Sequence, residues 1–311
     1  MRKNLAVLAA LLMTAGVAAV SGAATAGGPL VVHASGGLSS AELQLLDSKI
    51  QHIVIIDKEN HSFDNLFGRF PGAAGATTGR TSTGKVIPLG HTPDHLLLDV
   101  DHSGAAALRA VDNGHMDRFN QLSGAIQDGK DLAMSQYTQA DIPGYWAYAH
   151  AFTLDDHFFS SVVGPSFPNH LVTVAGTAFN VTDNPVNTSF NAWGCDSGPY
   201  AEVRTQDPST GKVRFVKPCF NATTLPDLLD QASVPWKYFA PSQYASGYIW
   251  SALDAINHIR NGPEWASNVV NTSQFATDAQ AGTLPAVSWL VTNTANSDHP
   301  PNSICVGESW T

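Results

Sequence analysis

A chain of 311 residues can hold one large α/β domain with an insertion, or two ordinary domains. Its hydrophobic content of 43% supplies an ordinary core, while charged residues make up only 14%. The net charge of −10 excludes the Lys/Arg field that nonspecific nucleic-acid binding requires, but not a phosphorylated substrate, because one site can be locally positive or carry a metal.

The N-terminus reads as an export signal over residues 1–26. Arg2 and Lys3 give a positive start, Leu5 to Val20 is apolar and small, and Ala24-Thr25-Ala26 offers a cleavage site. No later stretch reaches the ~20 apolar residues that span a bilayer, so the mature protein is expected to be secreted or periplasmic, without a stable membrane anchor. A leader over 27–49 follows, in which Ser39 and Ser40 can cap a short helix through Leu46. Ile53 to Ile56 is a β-branched run that predicts a fully buried strand. Its tail, Asp57 to Gly68, is crowded with Asp57, Glu59, Asn60, His61 and Asp64. Ligands in open α/β sheets bind at the carboxyl ends of strands, so this tail reads as the floor of a site.

Phe70 to His91 reads as loop, and Gly104 to Leu122 has helical spacing. Ile142 to His150 predicts a helix with Pro143 in its first turn. Phe152 to Val163 alternates and predicts a second buried strand. Gly164 to His170 is a turn into a helix, Leu171 to Ala175. Residues 181–221 form an irregular insert holding Cys195 and Cys219, which could close a loop in an oxidising compartment and leave Cys305 unpaired. Leu225 to Gln231 reads as helix, and Trp236 to Ala240 and Val287 to Val291 as strands. Strands alternating with helices imply a mostly parallel sheet covered on both faces.

Three constellations carry chemistry. Glu59 and Asn60 offer a carboxylate and an amide oxygen, a pair suited to a hard divalent cation. Their bland reading is a surface charge and a helix cap. Ser166 lies at the start of a helix, where backbone N–H groups and the dipole favour a phosphoryl anion, although serine is also a common cap. His102 in Asp101-His-Ser103 and His299 in Ser297-Asp-His-Pro-Pro301 can each bind a phosphoryl oxygen or protonate a leaving group. Any one of twelve histidines is more simply a solvated loop residue. Asp155-Asp156-His157 reads as structural.

The run Glu59-Asn60-His61-Ser62-Phe63-Asp64-Asn65-Leu66-Phe67-Gly68 resembles the Glu-Asn-x-Ser-Phe-Asp-x-x-Phe-Gly signature of the bacterial phosphoesterase family, which holds phosphatidylcholine-type phospholipases C and acid phosphatases. Asp101-His-Ser103 with Gly114-His-Met-Asp117 resembles its second block. Gly164-Pro-Ser166-x-Pro-Asn169-His170 resembles its nucleophile block, and is also similar to the nucleophile turn of nucleotide pyrophosphatases. Cys219-Phe-Asn, Trp236-Lys-Tyr238, Ser288-Trp289 and Asp298-His299-Pro-Pro resemble later parts. The resemblance covers most of Ile50 to Thr311.

It implies an alkaline-phosphatase-like α/β/α sandwich around a mostly parallel sheet, with a catalytic domain over 50–311. It implies an exported, metal-dependent phosphoric ester hydrolase of phospholipase C or acid phosphatase type. Ser166 would be the nucleophile, Glu59, Asn60 and Ser166 the ligands of a divalent metal ion, and His102 and His299 would hold the phosphoryl group. Asp57, His61 and Asp64 would then support the site rather than form it. In the family the chain runs past the Gly307-Glu308-x-Trp310 region to paired acidic residues and a Gly-Gly-x-x-Asp-His stretch, where further ligands lie. The sequence stops at Thr311, so the catalytic domain is expected to be incomplete, its C-terminal part missing, with half a metal site. A truncated non-catalytic remnant or binding protein, and a serine acyl hydrolase pairing Ser166 with a His, are the rival readings.

Overall fold

In the computed structural model, residues 39–40 and 49–311 are described. The export signal and nearly all of the leader helix lie outside them. Four parallel strands form the central sheet: β1 (Ile53–Asp57), β2 (Trp236–Ala240), β3 (Val269–Asn271) and β4 (Val287–Val291). Their order is β1-β4-β2-β3. Ile53 to Asp57 run in register with Val287 to Val291, so both strands end on the same edge. Helices flank this sheet: α1 (Phe63–Phe67), α2 (Gly104–Val111), α3 (Pro143–Ala151), α4 (Ser166–Ala175), α5 (Leu225–Gln231) and α6 (Ile304–Trp310). The result is an α/β sandwich around a parallel sheet.

All five residues of β4 are buried, as a central strand demands. Trp236, Tyr238, Val287 and Trp289 pack with Leu253, Ile256 and Ile259 in the main core, and Ile53 and Ile55 lean on it from β1. A second cluster joins Phe167 and Leu171 of α4 to Val181 and Val203 of the insert. This packing fixes the start of α4 over the strand ends.

Several expectations need correction. β1 is not fully buried: Val54 and Ile56 remain 39% and 40% exposed. Among the described residues β1 pairs on one side only, and only its inward face meets the core. Phe152 to Val163 forms no strand, and Phe158 and Phe159 are each 76% exposed. The segment is held by side chains instead: Asp156 accepts from the Ala74 amide at 2.6 Å, and Asn169 accepts from the Val162 amide at 3.0 Å. The helix expected to run on from Gly104 stops at Val111, where Asp112 and Asn113 take positive φ values of 42° and 55°. The Phe70 to His91 loop contains a short hairpin, Thr78–Arg80 with Val86–Pro88. The insert likewise contains a hairpin, Val203–Gln206 with Val213–Val216. Cys195 and Cys219 form a disulfide, and Cys305 is free and exposed. No helix among the described residues is long and apolar enough to cross a membrane.

Candidate active site

The loops leaving β1 and β4 meet at one edge of the sheet, tied by a 3.0 Å bond from the Glu59 amide to the Ser297 carbonyl. Glu59 and Asn60 therefore sit beside Asp298 and His299. Helix α4 brings its first residue to the same place. Ser166 is not an N-cap: Pro165 holds that position and makes no side-chain bond. The hydroxyl of Ser166 donates instead to Glu59 Oε1 at 2.9 Å. Asn60 is not a cap either, because Ser62 caps α1 by accepting from the Asn65 amide.

The turn before α4 is built by Asn169, whose amide donates to the carbonyls of Val162, Gly164 and Pro165. Asn184 accepts from the Phe167 amide at 2.9 Å. These contacts leave Ser166 with one side-chain partner, a carboxylate, at a helix start that favours anions.

Behind this pair lies His170, which the sequence reading quoted in a motif but gave no role. Its Nε2 stands 3.1 Å from Glu59 Oε2, and its Nδ1 stands 3.2 Å from Asp57 Oδ2. Burial alone would push the imidazole down, but the flanking carboxylates of Asp57 and Glu59 outweigh it and raise it to about 9. Burial likewise pushes Glu59 up, yet its hydrogen bond and charge contact with His170 leave it below the usual carboxylate value. Glu59 is thus held ionised, as suits a metal-ligating carboxylate. Burial dominates at Asp57, whose value is raised.

This pinning is pH-dependent. The His170 pKa is about 6.5 unfolded and about 9 folded, so its contribution is complete below pH 6.5 and is lost as pH rises through about 9. The expected loss, measured by urea midpoints in EDTA at pH 6 and 9.5, is up to about 3 kcal/mol. A His170→Phe chain should lack that slope. An unchanged slope would remove His170 as its cause.

The two other predicted residues lie together on the outer side. The rings of His102 and His299 are 5.3 Å apart, edge to face, and Trp250 stacks on His299. Asn60 Nδ2 stands 3.4 Å from His299 Nε2, which links them to the β1 tail. His102 lines a cleft of about 300 Å³ with Pro165, the neighbour of Ser166. Asp99 stands 3.4 Å from His102 Nδ1 and 3.9 Å from His299 Nδ1. Sequence reading passed over Asp99 because it lies outside the Asp101-His-Ser103 block. Of the supporting residues, Asp64 accepts from the Ala76 amide, and His61 binds Asn65 and the Asp298 carbonyl. Burial keeps His61 neutral, near 4. His157 and Asp155 lie on the exposed segment before the serine turn.

The donor set suits a hard divalent cation: an ionised carboxylate, an amide and a hydroxyl whose oxygen lies 2.9 Å from the carboxylate. The arrangement offers a hydroxyl for attack, imidazoles for a phosphoryl group, and a helix start for its charge.

Comparison with known proteins bears on the family of the chain. Residues 50–311 match the sequence profile of the Phosphoesterase family. The hemolytic phospholipase C of Pseudomonas aeruginosa is 26% identical over 294 residues, covering 81% of this chain and 37% of that protein. Phospholipase C A of Mycobacterium tuberculosis is 24% identical over 291 residues, covering 83% of this chain and 52% of that protein. The non-hemolytic phospholipase C of Burkholderia pseudomallei is 26% identical, covering 81% and 38%. The chain thus spans about half or less of the length of these relatives. With the profile matched from residue 50 to the last residue, and the Glu59, Ser166 and His299 blocks converging on one sheet edge, the chain belongs to the phosphoesterase family.

Proposed function

We propose that this chain is an exported, metal-dependent phosphoric ester hydrolase with Ser166 as nucleophile. The observation that carries the reading is the 2.9 Å bond from the Ser166 hydroxyl to Glu59 at the first residue of α4. The phospholipase C names of the relatives support phosphoric esters as the substrate class. The Cys195–Cys219 disulfide supports an oxidising compartment.

Glu59, Asn60 and Ser166 would hold the divalent cation. When bound, it supplies positive charge that makes the serine hydroxyl more acidic and answers the charge on the phosphoryl oxygens. Glu59 Oε1 orients the hydroxyl from behind. Ser166 Oγ passes its proton along its hydrogen bond to the Glu59 carboxylate and bonds to phosphorus as the bond to the departing oxygen breaks. The N-terminus of α4 and the Nε2–H groups of His102 and His299, as protonated rings, donate to the equatorial oxygens. A protonated imidazole at His102 or His299 returns a proton to the leaving oxygen, and water then cleaves the phosphoserine. An acyl-transfer pair fits less well, because the recorded partner of Ser166 is a carboxylate and not an imidazole.

Trapping tests the reading. Acid quenching of the purified chain during turnover of labelled p-nitrophenyl phosphate should leave acid-stable label on the Ser166 peptide. Prior treatment with EDTA should abolish both label and turnover. Turnover that resists EDTA, or label on another residue, would overturn the assignment.

A further inference from the structure

Asp99, His102 and His299 offer one ligand atom each within 4.8 Å of one another. The two imidazoles are prepared alike. His102 Nδ1 is 2.9 Å from the Val100 carbonyl, and His299 Nδ1 is 2.7 Å from the Pro300 carbonyl. A carbonyl oxygen only accepts, so each Nδ1 carries a proton; in the neutral ring Nε2 then holds the lone pair, which at His299 faces Asn60 Nδ2 at 3.4 Å. Metal-ligating histidines are held in this way, by a second bond that fixes tautomer and ring.

Charge points the same way. Among the described residues no Lys or Arg pairs with Asp99; its ion-pair contacts are to the ring nitrogens that already donate to carbonyls. The adjoining cleft is lined by Asp99, Asp101 and Asp183 and by no Lys or Arg. Such a mouth draws cations in.

We propose that Asp99, His102 and His299 form a second metal site, which takes a borderline transition ion of the Zn²⁺ class from this cleft. Two nitrogens and a carboxylate suit zinc better than the oxygen-seeking Mg²⁺ or Ca²⁺. The site differs in chemistry from the all-oxygen group of Glu59, Asn60 and Ser166. Three protein ligands leave a fourth position to water. Resting on the proposed hydrolase reading, occupation regulates the enzyme: zinc claims the imidazole lone pairs and the cleft, and so competes with the phosphoryl group.

Cobalt serves as the probe. The chelator-stripped chain, titrated with Co²⁺, should develop a visible d–d band that Zn²⁺ then removes. Asp99→Ala and His102→Ala should each weaken binding at least about tenfold, while Glu59→Gln leaves the band in place. In the unaltered chain, zinc should shift the ¹⁵N resonances of the His102 and His299 Nε2 atoms, a reading that needs no variant to fold. Zinc should also inhibit p-nitrophenyl phosphate hydrolysis, and excess substrate should relieve it. No cobalt band, a band unchanged in both variants, or unshifted Nε2 resonances would overturn the site. A site seen by cobalt in a chain that hydrolyses no phosphoester supports the site and sinks the hydrolase reading; an active chain without the band does the reverse.

Discussion

Ser166→Ala is expected to lower turnover of p-nitrophenyl phosphate and phosphatidylcholine by roughly ten-thousandfold or more, while the fold survives. Removing a nucleophile forfeits the covalent route and leaves only binding and electrostatic stabilisation. A ten-thousandfold loss corresponds to about 5 kcal/mol of barrier. The structural cost is smaller. The hydroxyl makes one bond, to Glu59 Oε1, and Pro165 rather than Ser166 caps α4. Losing one bond to a charged group costs about 1–3 kcal/mol. Glu59 keeps its contact with His170, so its carboxylate is not orphaned. Ser166→Thr retains a hydroxyl and should fall between the two. The measurement is kcat with matched thermal unfolding. A Ser166→Ala chain retaining a tenth of the activity would place the nucleophile elsewhere. His102→Ala and His299→Ala should cost about 10²–10⁴-fold each, the range of a proton donor or oxygen ligand, without abolishing the phosphoserine.

Much of the sheet was legible, for a local reason. β2 and β4 are short runs of aromatic and β-branched residues bounded by Pro, Gly or polar residues, and their limits match the expected ones. β3 was missed because Val269–Asn271 is three residues long and follows directly on the helix Pro263–Asn268, which leaves no period to read. Phe152 to Val163 failed in the opposite way. Alternation states which residues could face a core, but a strand needs a ladder partner, and that lies outside any local window. The site divides along the same line. Glu59, Asn60, Ser166 and His299 stood out because their residue types carry chemistry at motif spacing, and the structure brings them together. His170 and Asp99 act through partners that sequence does not announce. His170 meets Glu59 across 111 positions. Asp99 gains its meaning from two rings, one of them on the loop after β4.

Lys58→Met is expected to destabilise the chain by about 3–5 kcal/mol, lowering Tm by roughly 10 °C, and to reduce turnover as well. Lys58 lies between Asp57 and Glu59, yet its side chain turns to the opposite side. Its ammonium donates to the Tyr145 hydroxyl and the Gly307 carbonyl at 2.6 Å and to Thr311 Oγ1 at 2.8 Å. It also pairs with Asp298 Oδ2 at 3.0 Å, both side chains being about nine-tenths buried. Tyr145 donates to the same carboxylate, so β1, α3, α6 and the loop after β4 close on one charge. The space is tight: a Cβ on Gly307 would collide with Asp298 Oδ1. Burial lowers the Lys58 value and raises that of Asp298. Methionine fills the lysine stem but leaves the carboxylate buried without its cation, which is the costly half of a broken pair. Asp298 directly precedes His299, so a displaced carboxylate carries the imidazole away from Asn60. Lys58→Met with Asp298→Asn should recover part of the loss, because no buried charge is then left alone. Urea unfolding of the four chains in this cycle measures the coupling. A loss below about 1 kcal/mol for Lys58→Met would rank the pair with exposed ion pairs and remove it as the clamp that sets His299.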